Sequence, residues 1–88
     1  MRLEDAQKIL IRPYVTERTF DQIERENKLC FMVADKASKR QIASAVTALY
    51  EVKVAGVNTA RTIKGKKAFV RLAEGENAAD LATRLGLV

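Results

Sequence analysis

The chain has 88 residues, 48% hydrophobic and 31% charged, with a formal net charge of +5. That mixture is globular rather than disordered, and the length fits one domain, residues 1–88, with a single modest core. One cysteine and no histidine exclude an internal disulfide and the standard zinc-ligand sets, and no apolar run approaches the roughly 20 residues of a membrane span.

The opening MRLEDAQ carries acids and no apolar stretch, so it does not read as a signal peptide. Lys8–Ile11 reads as a short extended segment, limited by Pro13. The residue before a proline avoids helical backbone, so Arg12 is expected to be extended. Thr16 suits an N-cap, where its hydroxyl accepts from a free amide of the first turn. The helix expected to follow runs from Glu17 to Glu26, with Phe20 and Ile23 on one face and Glu17, Asp21 and Glu24 on another. Lys28–Ala34 (KLCFMVA) reads as a strand. Leu29, Phe31 and Val33 point one way and Cys30, Met32 and Ala34 the other, and both sets are apolar, so the strand is central. Cys30 then belongs to the core, with no neighbouring base in sequence to stabilise a thiolate. A lone cysteine also fits a reducing cytoplasm.

Ser38-Lys39-Arg40-Gln41 is a capping box, opening a helix that runs to about Glu51 with Ile42, Ala45, Val46 and Leu49 as its apolar stripe. Lys39 and Arg40 in its first turn oppose the helix dipole, which hints at an external anion. Val52–Ile63 and Lys67–Leu72 read as two strands joined by the short connection Ile63–Lys66, a hairpin. Asn77 caps a last helix, Ala78–Leu85, and Gly86 is a natural stop. The order β-α-β-α-β-β-α, with mostly short connections, predicts an α+β fold: an antiparallel sheet covered by helices.

From Val52 to Ala73 there are six basic residues and no acid: Lys53, Arg61, Lys64, Lys66, Lys67 and Arg71. The window supplies six positive charges, so the remainder of the chain sums to −1. Such concentration marks a polyanion-binding surface, although lysines also protect edge strands from aggregation. Six phosphate contacts would give a slope of about −4 to −5 in log K against log salt. Asn58, Thr59 and Thr62 could add bonds to phosphate or ribose. Lys66–Leu72 partly fits the signature of an RNA-recognition motif at Ala68, Phe69 and Val70. Lys67 stands where the first stacking aromatic belongs, and Leu72 at the last aromatic position. With five aromatics in the whole chain, the expected recognition is of backbone and shape rather than of stacked single-stranded bases. Catalysis has little support, because the chain has no histidine, nucleophile elbow or P-loop. A ferredoxin-like enzyme of the acylphosphatase kind would need a glycine-rich phosphate cradle, and Gly65 is alone in its loop.

Three stretches together carry a resemblance: IRPYVTERT (Ile11–Thr19), SKRQIASAVTALYEVKVAGV (Ser38–Val57) with Asn58-Thr59, and KGKKAFVRL (Lys64–Leu72) followed by Ala73-Glu74-Gly75. In order they match a P-x-[VI]-[ST]-E-[KR] opening, an I-x-x-A-V-x-x-L-[FY]-x-V-x-V junction, a V-N-T strand and a K-K-A-x-V-x-L strand. The pattern resembles the large-subunit ribosomal protein twenty-three family over nearly the whole chain. The resemblance implies a four-stranded antiparallel sheet with flanking helices, a relative of the ferredoxin-like split β-α-β fold. It implies a structural constituent of the cytoplasmic ribosome that binds large-subunit (23S) rRNA beside the peptide exit tunnel, among neighbouring large-subunit proteins, with no cofactor, metal or small-molecule substrate. By position, Arg12, Thr16, Lys36, Lys39, Asn58, Thr59, Arg61, Lys64, Lys66 and Lys67 fall on stretches that face rRNA in the family. Lys53 and Arg71 join them from the basic window. Glu17 matches the glutamate of the opening motif that contacts exit-site factors, with Arg18 and Asp21 beside it. Bacterial members carry a long hairpin loop that lines the tunnel, and Ile63–Lys66 leaves no room for it. The long basic N-terminal extension of eukaryotic members is also not expected. The resemblance is therefore to the archaeal type, with the signal recognition particle and the protein-conducting channel as implied partners and no insertion into the membrane. The rival reading is a single-stranded RNA-binding module of the RNA-recognition-motif type.

Overall fold

Two apolar stripes of a central strand, one for each face of a sheet, decide the architecture. The computed structural model describes residues 1–87, arranged as α1 (Leu3–Ile9), β1 (Leu10–Pro13), α2 (Glu17–Glu26), β2 (Lys28–Val33), α3 (Lys39–Tyr50), β3 (Val54–Thr62), β4 (Gly65–Leu72) and α4 (Ala78–Arg84). The strands form one antiparallel sheet in the order β1-β2-β4-β3. The α+β fold expected from the sequence is therefore observed. From β2 onward the chain follows the β-α-β-β-α course of a ferredoxin-like unit, and β1 occupies the outer place beside β2.

On one face Leu29, Phe31 and Val33 of β2 join Ala68, Val70 and Leu72 of β4. Ile42, Ala45 and Val46 of α3, Ala78, Leu81 and Ala82 of α4, and Ile23 of α2 complete the same core. Phe31 is 1% exposed and stacks on Tyr50, with ring centroids 5.9 Å apart. Cys30 and Met32 are buried on the opposite face, as expected for a central strand.

The helix starts follow the local sequence. Thr19 N donates to Thr16 Oγ1 at 3.2 Å, and Thr16 N donates to Thr19 Oγ1 at 2.7 Å, so a second threonine closes the box. Ser38 and Gln41 form the reciprocal pair expected of them. Asn77 caps α4 through Asp80 N, and Gly86 adopts φ +75 just beyond it.

The sequence reading needs correcting at the N-terminus and at several boundaries. Lys8 and Ile9 are helical, not extended, because Leu3–Ile9 forms a seven-residue helix and the strand begins only at Leu10. Seven residues are too short for a periodic signal and too short to hold a helix alone. α1 lies against α3, with Ala6 fully buried. The order is thus α-β-α-β-α-β-β-α. The hairpin is tighter than expected, with Thr62 opposite Gly65 and only Ile63-Lys64 between them. Gly65 takes φ +126, which L-residues rarely adopt, and Thr62 Oγ1 donates to its carbonyl at 2.8 Å. β2 ends at Val33, β3 runs Val54–Thr62 and α4 ends at Arg84, within the usual uncertainty of element ends.

Asn27 ties three elements together. It terminates α2 in the left-handed conformation (φ 57). Its backbone carbonyl accepts from Leu72 N at 3.0 Å. Its Nδ2 donates to Glu76 O at 3.0 Å, and its Oδ1 accepts from Ala78 N at 2.7 Å at the start of α4. Asn27→Gly keeps the backbone conformation and removes the side chain. It should lose about 2 kcal/mol, lowering Tm by on the order of 10 °C in a thermal melt. An unchanged Tm would show that water replaces both bonds at no cost.

Candidate nucleic-acid interface

Alternation along the strands splits the basic window between two surfaces. Residues directly opposite in an antiparallel pair share a face. The register Lys28↔Arg71, Cys30↔Phe69 and Met32↔Lys67, continued as Gly56↔Arg71, Asn58↔Phe69 and Ala60↔Lys67, defines the face away from the core. Arg12, opposite Met32, extends it onto β1. Arg12, Lys28, Lys67 and Arg71 thus lie on one open sheet face with Asn58 and Phe69 and with no acid among the strand residues that form it. Glu26, just outside the strands, reaches Lys28 at 3.4 Å.

The start of α2 walls this face on one side. A hollow of about 370 Å³ is lined by Tyr14, Thr16, Arg18, Thr19, Gln22, Lys67 and Phe69. Lys67 Nζ lies 4.0 Å from the centre of the Tyr14 ring, a cation–π contact worth about 0.5–1 kcal/mol where solvent reaches it. On the other side of Phe69 a second hollow of about 260 Å³ is lined by Lys28, Gly56, Val57, Asn58, Phe69 and Arg71.

Thr59, Arg61 and Lys66 alternate onto the other face. Near the hairpin end they meet the segment before α3. Lys66 Nζ donates to Ala37 O at 2.7 Å, and Arg61 pairs with Asp35. Both partners of that ion pair are about two-thirds exposed (67% and 66%), so it adds little stability. Lys36, Lys39 and Lys64 are exposed around the same end, making a second basic rim. Lys53 stands apart between α3 and β3. Thr16 is placed beside the open face, but its hydroxyl is committed to the cap of α2.

Of the residues expected to meet exit-site factors, Glu17 and Asp21 are exposed on α2. Arg18 lines the hollow with Lys67. Sequence reasoning missed Lys28 and Tyr14. Lys28 lies outside the basic window and reaches the face only through its pairing with Arg71. Tyr14 follows Pro13 and is held in place by its own N–H donating to Cys30 O at 2.9 Å. Asp35 was equally invisible to a linear window, since the fold alone brings it to Arg61.

Two comparisons with known proteins bear on this geometry. The family model for ribosomal protein L23 matches residues 8–79. The chain belongs to the ribosomal protein L23 family. It is 44% identical over 80 residues to the large ribosomal subunit protein uL23 of Haloarcula marismortui, covering 90% of this chain and 94% of the relative. It is 44% identical over 84 residues to the proteins of the same name from Methanobrevibacter smithii and Methanosphaera stadtmanae, covering 94% of this chain and 98% of each relative. All three sources are archaeal, in agreement with the type expected from the short hairpin. These relatives are ribosomal structural proteins, and the chain is not an enzyme.

Among the described residues no group of three His, Cys, Asp or Glu is placed to hold a metal ion. The Cys30 thiol, 4% exposed, is pushed up to about 11 by burial, with the Lys67 charge acting weakly the other way. A raised folded pKa means that the unfolded thiol ionises first. This group therefore lowers stability as pH rises from about 9 towards 11. At pH 8 a thiol reagent such as Ellman's should label Cys30 only after denaturant is added. Rapid labelling of the native protein would show that the open face admits reagent to the β2–β4 pair.

Proposed function

We propose that this chain is a non-catalytic structural constituent of the large ribosomal subunit in the cytoplasm. In this reading it binds large-subunit (23S) rRNA through its open sheet face and its hairpin rim. The observation that carries the reading is a sheet face with four cations and no acid in a member of a ribosomal protein family. Arg12, Lys28, Lys67 and Arg71 on the face, with Lys36, Lys39 and Lys64 on the rim, hold phosphates. Lys53, Asn58 and Thr59 supply outlying contacts. Lys66 chiefly holds the segment before α3 in place, and Arg61 is paired beside it with Asp35.

The position that fits is beside the peptide exit tunnel, among other large-subunit proteins. The two-residue hairpin turn is too short to send a loop into the tunnel. Glu17, Asp21 and Glu24 recur at i, i+4 and i+7 and share an exposed stripe of α2. Thr19 and Gln22, which line the hollow, lie on another side. That stripe is open to visiting factors, with the signal recognition particle and the protein-conducting channel as the partners proposed.

Filter binding of an archaeal large-subunit rRNA transcript tests the first part. Lys64→Glu with Lys67→Glu should weaken binding at physiological salt and flatten the salt slope by roughly one unit or more. Equal affinity and equal slope would remove the basic surface from the interface. Glu17→Ala with Asp21→Ala tests the second part. It should leave rRNA affinity unchanged and weaken docking of the signal recognition particle on assembled subunits. Loss of assembly would show that α2 faces the rRNA instead.

A further inference from the structure

We infer that the hollow over Gly56 is a seat for one unpaired RNA nucleotide, its base against Phe69 and its phosphate between Lys28 and Arg71. This rests on the RNA-binding reading above and adds to it a contact with a base.

Three observations converge there. First, Lys28 and Arg71 are directly opposed across β2 and β4. Like charges in that relation are destabilising. Glu26 answers only Lys28, at 3.4 Å with its own side chain half exposed. An anion bound between the two cations removes the repulsion, and phosphate is the anion that RNA brings. Second, Gly56 lies on the same face opposite Arg71, and a Cβ built on it meets nothing within 4 Å. Its backbone is not in the left-handed region, and it follows the irregular step after Val54 in the β3–β4 register. What the missing side chain leaves is the floor of the 260 Å³ hollow. Third, Phe69 stands beside that floor on a central strand, half-buried, with the exposed Asn58 directly opposite it.

The chemistry of the lining selects the ligand. Phe69 offers a π-face to a base, and stacking on an aromatic tolerates any of the four bases. Asn58 carries one acceptor and two donors, enough to bond a base edge. Only one base fits this arrangement. The other aromatic of the face, Tyr14, already has the Lys67 ammonium over its ring. The face is therefore not the two- or three-base platform of an RNA-recognition motif. A paired base inside a helix could not present its face, so the ligand is a nucleotide turned out of its stack.

Gly56→Val tests the inference. The substitution suits a strand, fills the hollow and removes no charge. The probe is a Methanobrevibacter smithii large-subunit rRNA transcript in filter binding across a salt series, with thermal melts as a control for folding. Phe69→Leu is the second variant, keeping an apolar side chain but no ring. Each should weaken binding by on the order of tenfold. Phe69→Leu should leave the salt slope unchanged, because every phosphate contact remains, whereas Gly56→Val, which displaces the whole nucleotide, should flatten it by no more than about one unit. If the wild type binds and both variants bind equally well, the nucleotide seat is overturned while the rRNA-binding reading stands. A slope flattened by Phe69→Leu also overturns it, because the ring would then matter only for holding phosphate. If the wild type binds no rRNA, both proposals fall.

Discussion

The antiparallel pairing of β2 with β4 is the constraint on which the rest of the structure depends. Side chains alternate strictly along a strand, so a slip of one residue would exchange the two faces of the pair. In the observed register Leu29, Phe31 and Val33 meet Val70, Ala68 and Lys66, and the apolar members enter the core. The same register brings Lys28 to Arg71, Cys30 to Phe69 and Met32 to Lys67 on the outer face. Both ends of the pair are pinned from outside the sheet. Asn27 receives Leu72 N at one end, and Lys66 binds the Ala37 carbonyl at the other. The core and the basic face are thus two consequences of one alignment.

That alignment stores an electrostatic cost. Opposed cations and a sheet face without acids gain nothing within the isolated protein. They gain when a polyanion arrives and its counterions are released. Helices α3 and α4 cover the other face, while on this one α2 stands only along one side and leaves Arg12, Asn58 and Arg71 exposed. Acids lie elsewhere, on α2 as Glu17, Asp21 and Glu24 and around α4 as Glu74, Glu76 and Asp80. The strands of the basic face are thus kept free of acids, although the net charge is only +5. Arg61 shows how the fold redistributes the window's charge. It belongs to the basic window by sequence, yet its partner is Asp35, so its task is partly internal.

Much of the fold was legible in the sequence because its signals are local. Ser38 and Gln41, Thr16, Asn77, and the double stripe of Lys28–Val33 each act within one or two turns or along one strand, and each element formed where those signals placed it. α1 was not legible, because a seven-residue helix is held by α3 rather than by its own sequence. For the interface, the concentration of lysines was visible and its division was not. A window counts Lys66 and Lys67 as equal neighbours, but the pleat sends them to opposite faces, one to a carbonyl of its own chain and the other to the ring of Tyr14.

The sequence by itself determined the kind of fold, the identity of the central strand, the basic character of the hairpin and the family. The first three rest on patterns that are complete within short stretches, and the family on several such stretches in order. Only the tertiary structure decided which cations are free and which are occupied, that Lys28 and Tyr14 join the face, and that Gly56 leaves space beside Phe69. The reason is physical. Charge and shape at a surface are set by what lies across a strand pair, and pairing partners tens of residues apart leave no mark on the linear window that contains either one.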